Sequence, residues 1–125
     1  MQTLLVAEDD DVMHAALTEL LALEGYEVLS ARGLAGARAL LAGRAVDGAL
    51  IDWQLGPERT DGLLEELVSS GIATILLSAH PEARWVAERL AIPCVHKPFV
   101  VEQLLGILSG AISRRSLRRF TAVRD

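Results

Sequence analysis

The sequence predicts an α/β domain in which five parallel strands form one sheet and five helices cover its two faces. Short β-type apolar runs alternate with longer segments of helical periodicity. The first, third and fourth runs are apolar throughout, as in parallel strands that helices cover on both sides. A chain of 125 residues with 51% hydrophobic residues suits a single domain with one core. We therefore expect a doubly wound parallel sheet.

Strands and helices follow one another in regular alternation. The predicted strands are Leu4 to Ala7, Tyr26 to Ala31, Ala49 to Ile51, Thr74 to Leu77 and Cys94 to His96. The first helix is expected from about Val12 to Glu24, with Asp10 or Asp11 as its N-cap and Gly25 after its end. The second helix covers about Leu34 to Leu41. The last three helices are expected to begin at Asp61-Gly62, after Pro81 and near Val100.

Composition and charge exclude several classes of protein. The net charge is −5, but residues 114–125 carry five arginines and one aspartate, which leaves −9 for the rest of the chain. Such an acidic body argues against direct DNA binding. Cys94 is the single cysteine, so the chain is not a disulfide-stapled secreted domain. Because the sequence shows neither a signal-peptide pattern nor an apolar run that could span a membrane, we expect a cytoplasmic protein.

Reactive polar residues follow four of the five apolar runs. The first run is followed by Glu8, Asp9, Asp10 and Asp11, the third by Asp52, the fourth by Ser78 and the fifth by Lys97. In open parallel sheets, ligands bind beyond the carboxyl ends of the strands, where the strand order reverses. With the strand order 2-1-3-4-5, strands one and three flank that point. Glu8, Asp9 and Asp52 would then converge.

Three neighbouring carboxylates need a counter-charge. At a separation of about 4 Å each pair repels by several kcal/mol when the effective dielectric constant is near 20. An all-oxygen ligand set suits Mg²⁺, which keeps several waters and takes one or two carboxylates from the protein. One carboxylate would remain free to act as a nucleophile. Residues 8–11 alone could also form a solvated turn and helix cap, but Asp52 favours the metal site.

Four motifs resemble the receiver domain of two-component response regulators, and in particular single-domain, chemotaxis-type receivers. They are Leu5-Val6-Ala7-Glu8-Asp9-Asp10, Ala49-Leu50-Ile51-Asp52, Leu76-Leu77-Ser78-Ala79 and His96-Lys97-Pro98-Phe99. The resemblance covers about residues 3–112. It implies a flavodoxin-like fold, and the strand order 2-1-3-4-5 used above is partly taken from it. We expect a receiver domain over residues 1–113, followed by residues 114–125 as a basic tail or an extension of the last helix.

The resemblance also implies the roles of the acidic residues. Asp52 would be the phosphoacceptor, taking a phosphoryl group from the phosphohistidine of a histidine kinase or phosphotransfer protein. Glu8 and Asp9 would hold Mg²⁺ together with Asp52 and the backbone carbonyl of Gln54. Such a protein is a signalling switch that catalyses only its own phosphorylation and dephosphorylation, and we do not expect a metabolic enzyme.

Lys97 is the only lysine among twelve basic residues. A compact charge on a flexible stem suits a phosphoryl pocket better than a planar guanidinium. The resemblance implies that Lys97 precedes a cis peptide bond to Pro98 and contacts the phosphoryl oxygens, and that Ser78 hydrogen-bonds the same group. A shift of Ser78 would then reshape the face formed by the fourth helix, fifth strand and fifth helix, where downstream protein partners bind. Whether phosphorylation also drives dimerisation is left open.

Several positions depart from the family pattern or should modulate it. Cys94 stands at the switch position, three residues before the lysine, where the family usually has an aromatic residue that moves inward. The loop from Leu55 to Gly62 is longer than the chemotaxis-type spacing. Gln54 and His80 lie two residues after the phosphoacceptor and the serine. In this family the side chains at those two positions govern the access of water to the acyl phosphate, so we expect them to tune dephosphorylation.

Further expectations concern the tryptophans and the tail. Trp53 adjoins Asp52 and should report metal binding by its fluorescence. Trp85 is expected to be a packing residue, with a partner-facing role as the alternative if the family surface applies. Arginines four residues apart in the tail disfavour a helix, so a frayed end is favoured over a helical extension, with contact to an acidic partner or membrane surface as the alternative.

Two other functions remain open at the level of the sequence. One is a small Mg²⁺-dependent phosphohydrolase, with Asp9 as nucleophile and Asp11 as acid or base. The other is a receiver-like interaction domain that is never phosphorylated. The position of Asp52 and the lack of a cap domain argue against the hydrolase. The retained acidic residues and lysine argue against the interaction domain.

Overall fold

The fold is described from a computed structural model, which defines residues 1–124, with side chains for residues 1–117. The strands are β1 (Thr3–Ala7), β2 (Glu27–Ala31), β3 (Gly48–Asp52), β4 (Gln54–Leu55), β5 (Glu58–Arg59), β6 (Ala73–Ser78) and β7 (Cys94–His96). The helices are α1 (Asp11–Leu23), α2 (Leu34–Gly43), α3 (Asp61–Ser69), α4 (Ala83–Leu90) and α5 (Val101–Arg124). Among the described residues no helix is both long and apolar enough to cross a membrane.

The main sheet has five parallel strands in the order β2-β1-β3-β6-β7. This is the predicted order 2-1-3-4-5 once the short strands β4 and β5, which pair only with each other, are set aside. The strands β1, β3 and β6 are buried along their whole length, as their apolar sequences predicted. The predicted fold class and strand order are therefore confirmed.

Different helices cover the two faces of the sheet. Helices α2, α3 and α4 pack on one face, and α1 and α5 pack on the other. Successive residues of β1 alternate between the two, with Leu5 in the first cluster and Leu4 and Val6 in the second. Since β1 leads into α1 on one face and β3 leads into α3 on the other, their connections separate at the carboxyl ends of these strands. That crevice is the topological switch point at which such sheets bind ligands.

Local interactions explain two of the element boundaries. Asp10 is the N-cap of α1, and its carboxylate accepts a hydrogen bond of 2.8 Å from the amide of Met13. Gly48 begins β3 where a side chain has no room, because a Cβ atom there would lie 2.9 Å from Leu4 Cδ2. The glycine lets β3 pack closely against its neighbours.

The loop that follows β3 is a β-hairpin, which the sequence did not predict. Gln54 pairs with Arg59 and Leu55 with Glu58 in antiparallel register. Gly56 has φ +59°, which suits the first central position of a type II′ turn, the geometry that two-residue hairpin loops favour. The longer loop noted in the sequence is thus a structured element beside β3.

Trp85 does not pack against the core, which contradicts the favoured prediction and leaves the alternative of a partner-facing residue open. Ala83 and Ala87, four residues apart on α4, face the sheet and are buried. Trp85 lies about half a turn away from Ala83, and 74% of its surface is exposed. The buried residues of α4 are therefore the two alanines, with Val86 and Leu90 partly buried beside them, and not the tryptophan.

The last helix continues beyond residue 113. α5 runs to Arg124, so residues 114–124 extend it as a helix instead of forming a frayed end. Arg115 Nη1 lies 3.3 Å from Asp47 Oδ1, and Arg115 Nε donates to the carbonyl of Gly71. The side chains of Arg118 and Arg119 lie outside the described residues, as does the predicted contact of the tail with an acidic partner or membrane surface.

Candidate functional site

The carboxyl edge of the sheet brings together the polar residues that end its strands. Asp52 is the last residue of β3 and Ser78 the last of β6, while Glu8 and Lys97 directly follow β1 and β7. The amide of Lys97 donates to the carbonyl of Ser78 at 2.8 Å, which joins the ends of β6 and β7. The Lys97-Pro98 peptide bond is cis.

Three carboxylates converge between β1 and β3. Oxygen atoms of Glu8, Asp9 and Asp52 all lie within 4.8 Å of one another. Glu8 is fully buried, Asp52 is 9% exposed and Asp9 lies at the surface. The cluster therefore reaches from the interior of the sheet to the solvent.

Lys97 bridges the two buried carboxylates. Its Nζ donates to Glu8 Oε1 at 2.9 Å, to Glu8 Oε2 at 3.1 Å and to Asp52 Oδ2 at 3.1 Å. Burial lowers the pKa of Lys97, but the hydrogen bonds to Glu8 and Asp52 outweigh this and hold it above its usual value. The lysine is therefore charged and fixed at the centre of the site.

One ammonium cannot neutralise three carboxylates. Burial, and after it the nearby Asp52, raise the pKa of Glu8 to about 8, because the lowering effect of Lys97 is smaller. The three carboxylates and Lys97 together carry two excess negative charges when fully ionised, which matches a divalent cation. The donors are all oxygen atoms, the ligands that Mg²⁺ prefers, so these residues fit such an ion.

The hairpin holds the outermost carboxylate of the cluster. The amide of Gly56, at the hairpin turn, donates to Asp9 Oδ2 at 2.8 Å. The buried hydroxyl of Thr60, at the other end of the hairpin, lies 2.7 Å from the carbonyl oxygen of Asp52 and 3.1 Å from that of Trp53. Sequence analysis missed both contacts, although the Gly56-Pro57 pair was a signal for a tight turn.

Trp53 stands beside the site and is almost completely buried. Its amide donates to the carbonyl of Leu77 at 2.8 Å, which ties the residue to β6. The guanidinium of Arg59 lies over the indole ring, 4.5 Å from its centroid, and forms a two-pronged ion pair with Asp61. The ring adjoins Asp52 in the chain, so its fluorescence can report changes at the site.

Ser78 is buried and hydrogen-bonds within its own loop. The amide of His80 donates to Ser78 Oγ at 2.8 Å, and the hydroxyl lies 3.3 Å from the carbonyl oxygen of His80. The side chain of His80 is exposed, and Gln54 is half-buried on the hairpin. Cys94 is also half-buried, and burial raises the pKa of its thiol, which favours the uncharged form.

The next two aspartates of the acidic run do not join the cluster. Asp10 caps α1, as described above. Asp11 has a side chain that is 81% exposed, and it forms an ion pair with Arg32. The arrangement predicted for a hydrolase, with Asp11 as acid or base beside Asp9, therefore has no support in these contacts.

The chain belongs to the response regulator receiver domain family, whose model matches residues 4–109. Proteins of this family act in signalling as phosphoacceptor switches and are generally not classical enzymes. The resemblance seen in the sequence motifs is thereby confirmed. No curated protein matches the chain.

Solved structures share the same fold. A receiver domain protein from Clostridium thermocellum has a TM-score of 0.83 at 21% identity, over 94% of this chain and 98% of that chain. A CheY-like receiver domain protein from Methanospirillum hungatei JF-1 has a TM-score of 0.87 at 20% identity, over 94% and 98%. The response regulator TrrA from Thermotoga maritima, in complex with Mg(2+)-BeF, has a TM-score of 0.79 at 23% identity, over 89% and 99%.

Proposed function

We propose that this chain is the phosphoacceptor of a two-component or phosphorelay system, with Asp52 as the residue that is phosphorylated. The observation that carries the proposal is that Asp52 is held by Lys97 and is still partly open to the solvent. Its Oδ2 is 3.1 Å from Lys97 Nζ, and 12% of its side-chain surface is accessible. A carboxylate held in this way can meet a phosphoryl group that a partner delivers from outside.

The proposed reaction is phosphoryl transfer from a phosphohistidine. An oxygen of Asp52 forms a bond to phosphorus, the bond from phosphorus to the imidazole nitrogen breaks, and that nitrogen keeps the electron pair and takes up a proton. The product is an acyl phosphate on Asp52, which water later hydrolyses. Lys97 balances the added negative charge, and Ser78 leaves its hydrogen bonds with His80 to donate to a phosphoryl oxygen.

Glu8, Asp9 and Asp52, together with the backbone carbonyl of Gln54, would hold Mg²⁺. When bound, the ion would draw negative charge away from the transferring phosphoryl group. Support comes from the excess negative charge of the cluster and from TrrA, which is similar in fold and was solved with Mg(2+)-BeF. The side chains of Gln54 and His80 would control the access of water and thus tune the lifetime of the acyl phosphate.

The signal would leave through the face formed by α4, β7 and α5. The movement of Ser78 would be transmitted to this face, where Trp85 on α4 is 74% exposed and Val100, just before α5, is 54% exposed. Such apolar side chains suit a downstream protein partner. Cys94 replaces the usual aromatic residue, so transmission here would proceed without a ring that swings inward. We place this switch, and the kinase or phosphotransfer protein that supplies it, in the cytoplasm.

Intact-mass spectrometry after incubation with Mg²⁺ and acetyl phosphate tests the proposal. We expect one labile phosphoryl group on the wild type and none on Asp52→Asn. Asp10→Asn is the matched control, because asparagine caps a helix as well as aspartate does and Asp10 lies outside the carboxylate cluster. It should be phosphorylated like the wild type.

Three outcomes would contradict the proposal. A phosphoryl group on Asp52→Asn would place the acceptor elsewhere. Repeated turnover of small phosphomonoesters, lost in Asp9→Asn but kept in Asp52→Asn, would instead establish the hydrolase. If no adduct forms on the wild type with acetyl phosphate, with purified histidine kinases or with phosphotransfer proteins, the chain is an interaction domain that is not phosphorylated.

A further inference from the structure

We propose that Thr60 is a positioning residue for the cation site and that it acts through the β4–β5 hairpin. Thr60 does not belong to the carboxylate cluster. It fixes the backbone of the hairpin, which in turn holds Asp9 and presents the carbonyl of Gln54. This inference rests on the proposed Mg²⁺ dependence of the site.

The hydroxyl of Thr60 does not make the hydrogen bond that is usual for a threonine at the N-cap of a helix. Thr60 is the N-cap of α3, where a threonine side chain commonly accepts a hydrogen bond from an amide in the first turn of the helix. Here the side chain makes no such cap. Its single proton is instead shared between the carbonyl oxygens of Asp52 and Trp53, at 2.7 and 3.1 Å. The hydroxyl therefore secures the end of β3 and leaves the start of α3 without this cap.

The backbone of Thr60 fixes the register of the hairpin. Its amide donates to the carbonyl of Trp53 at 3.2 Å, so Trp53 and Thr60 stand at a hydrogen-bonded position of the ladder, with one bond of the usual two because the amide of Trp53 donates to Leu77. In an antiparallel ladder such pairs alternate with pairs that exchange no hydrogen bonds. The next pair, Gln54 with Arg59, is then of the second kind. The carbonyl of Gln54 is consequently directed away from β5 and is available to a ligand.

The tip of the hairpin completes the connection to the cluster. Gly56 donates its amide to Asp9 Oδ2 at 2.8 Å, so a turn that lies 47 residues further along the chain orients this carboxylate. The ring of Trp53 under Arg59, and the ion pair between Arg59 and Asp61, stiffen the base of the hairpin. The bonds made by Thr60 thus determine where two of the proposed cation ligands lie.

Mg²⁺ titration of three variants tests this role. Thr60→Val removes the hydroxyl at nearly constant volume, and Thr60→Ser keeps it. Thr74→Val is the matched control, because Thr74 is also buried and its hydroxyl lies 2.8 Å from a backbone carbonyl oxygen, that of Ile72. It lies four residues before the end of β6, about 13 Å from the carboxyl edge of the sheet.

The midpoint of the Trp53 fluorescence change gives the Mg²⁺ affinity of each variant, and melting curves give the stability. Midpoints are compared, and not amplitudes, because Thr60 also contacts Trp53. We expect Thr60→Val to bind Mg²⁺ about tenfold more weakly than the wild type, the lower end of the effect seen when a residue that orients metal ligands is lost. Thr60→Ser and Thr74→Val should bind it like the wild type, although Thr74→Val loses stability.

A wild-type midpoint for a folded Thr60→Val would overturn the inference and leave the proposed function intact. Absence of Mg²⁺ binding by the wild type itself would instead contradict the proposed function. If Thr60→Val does not fold, NMR of the wild type decides. We expect the Gly56 amide signal to shift with the same Mg²⁺ midpoint as Trp53, while the Thr74 amide stays in place. A Gly56 amide that does not respond to Mg²⁺ would also overturn the inference.

Discussion

Glu8 is the most deeply buried of the three carboxylates, and its protonation state sets the charge of the site. Burial and, after it, the neighbouring Asp52 raise its pKa to about 8, because Lys97 does not cancel their effect. A divalent cation must displace the proton from such a carboxyl group before it can use the oxygen atoms as ligands. The cation and the proton therefore compete for Glu8.

This competition predicts a pH-dependent Mg²⁺ affinity. Below the pKa of Glu8, one proton is released for each ion bound, so affinity should rise by up to about tenfold per pH unit and level off above a pH of about 8. Trp53 fluorescence titrations across this range measure the effect. Glu8→Gln, which has no proton to lose, should show a nearly flat profile. An equally steep profile in this variant would assign the dependence to another group.

The stability of the metal-free protein should change in the opposite direction. The ordinary pKa of a glutamate is 4.5, and folding raises that of Glu8 to about 8. Between these two values the folded protein binds more protons than the unfolded chain. This residue therefore lowers the free energy of unfolding as pH rises through that range, and Mg²⁺ should restore the loss at high pH.

Residues that directly end a strand could be placed from the sequence, whereas residues that act through a turn could not. Glu8, Asp52, Ser78 and Lys97 all adjoin strands that apolar runs identify, and parallel strands share one carboxyl edge. Thr60 follows the end of β3 by eight residues. Its contact with Asp52 depends on the hairpin folding back, which strand patterns do not encode.

The elements missed by the sequence analysis have weak or ambiguous patterns. The hairpin strands β4 and β5 contain two residues each, too few for an alternating pattern to be recognised. On α4 the fully buried residues are alanines, so the large apolar residue Trp85 is a poor guide to which side of the helix packs. In such a helix small residues mark the buried face and a large apolar residue marks the exposed face. A prediction that places large apolar residues inside therefore chooses the wrong side.

The end of α4 offers a test of local backbone conformation. Ala91 follows the helix with φ +57°, the left-handed region in which a Cβ atom is unfavourable and glycine is preferred. We expect Ala91→Gly to raise the free energy of unfolding by about 0.5–1 kcal/mol, as measured by urea denaturation. The control is Ala16→Gly at an exposed position within α1, which should lower it by about 1 kcal/mol. Equal losses in both variants would contradict the strain at Ala91.

Across the whole molecule, the two edges of the sheet differ in how their charged residues are arranged. At the carboxyl edge like charges are gathered, which costs stability and creates the site. At the opposite edge the charges are paired. Asp47, just before β3, accepts the amide of Thr3 at 2.8 Å through Oδ2 and meets Arg115 at 3.3 Å through Oδ1. Asp47 thereby joins the start of the sheet to the extended part of α5. The folded domain therefore continues past residue 113, where the sequence analysis placed its end.

Arg115 should accordingly stabilise the fold without influencing the site. Its side chain is 12% exposed and also donates to the carbonyl of Gly71, so Arg115→Ala leaves Asp47 and that carbonyl without this partner. We expect the free energy of unfolding to fall by about 1–2 kcal/mol in urea denaturation. The neighbouring Arg114 is exposed, and the free energy of unfolding of Arg114→Ala should stay within about 0.5 kcal/mol of the wild type.

Both variants should keep the wild-type Mg²⁺ midpoint, because the effects of substitutions at sites far apart with no shared partners are independent. A changed midpoint in Arg115→Ala would mean that the two edges of the sheet are coupled, and that α5 links its basic end to the carboxylates at the other edge.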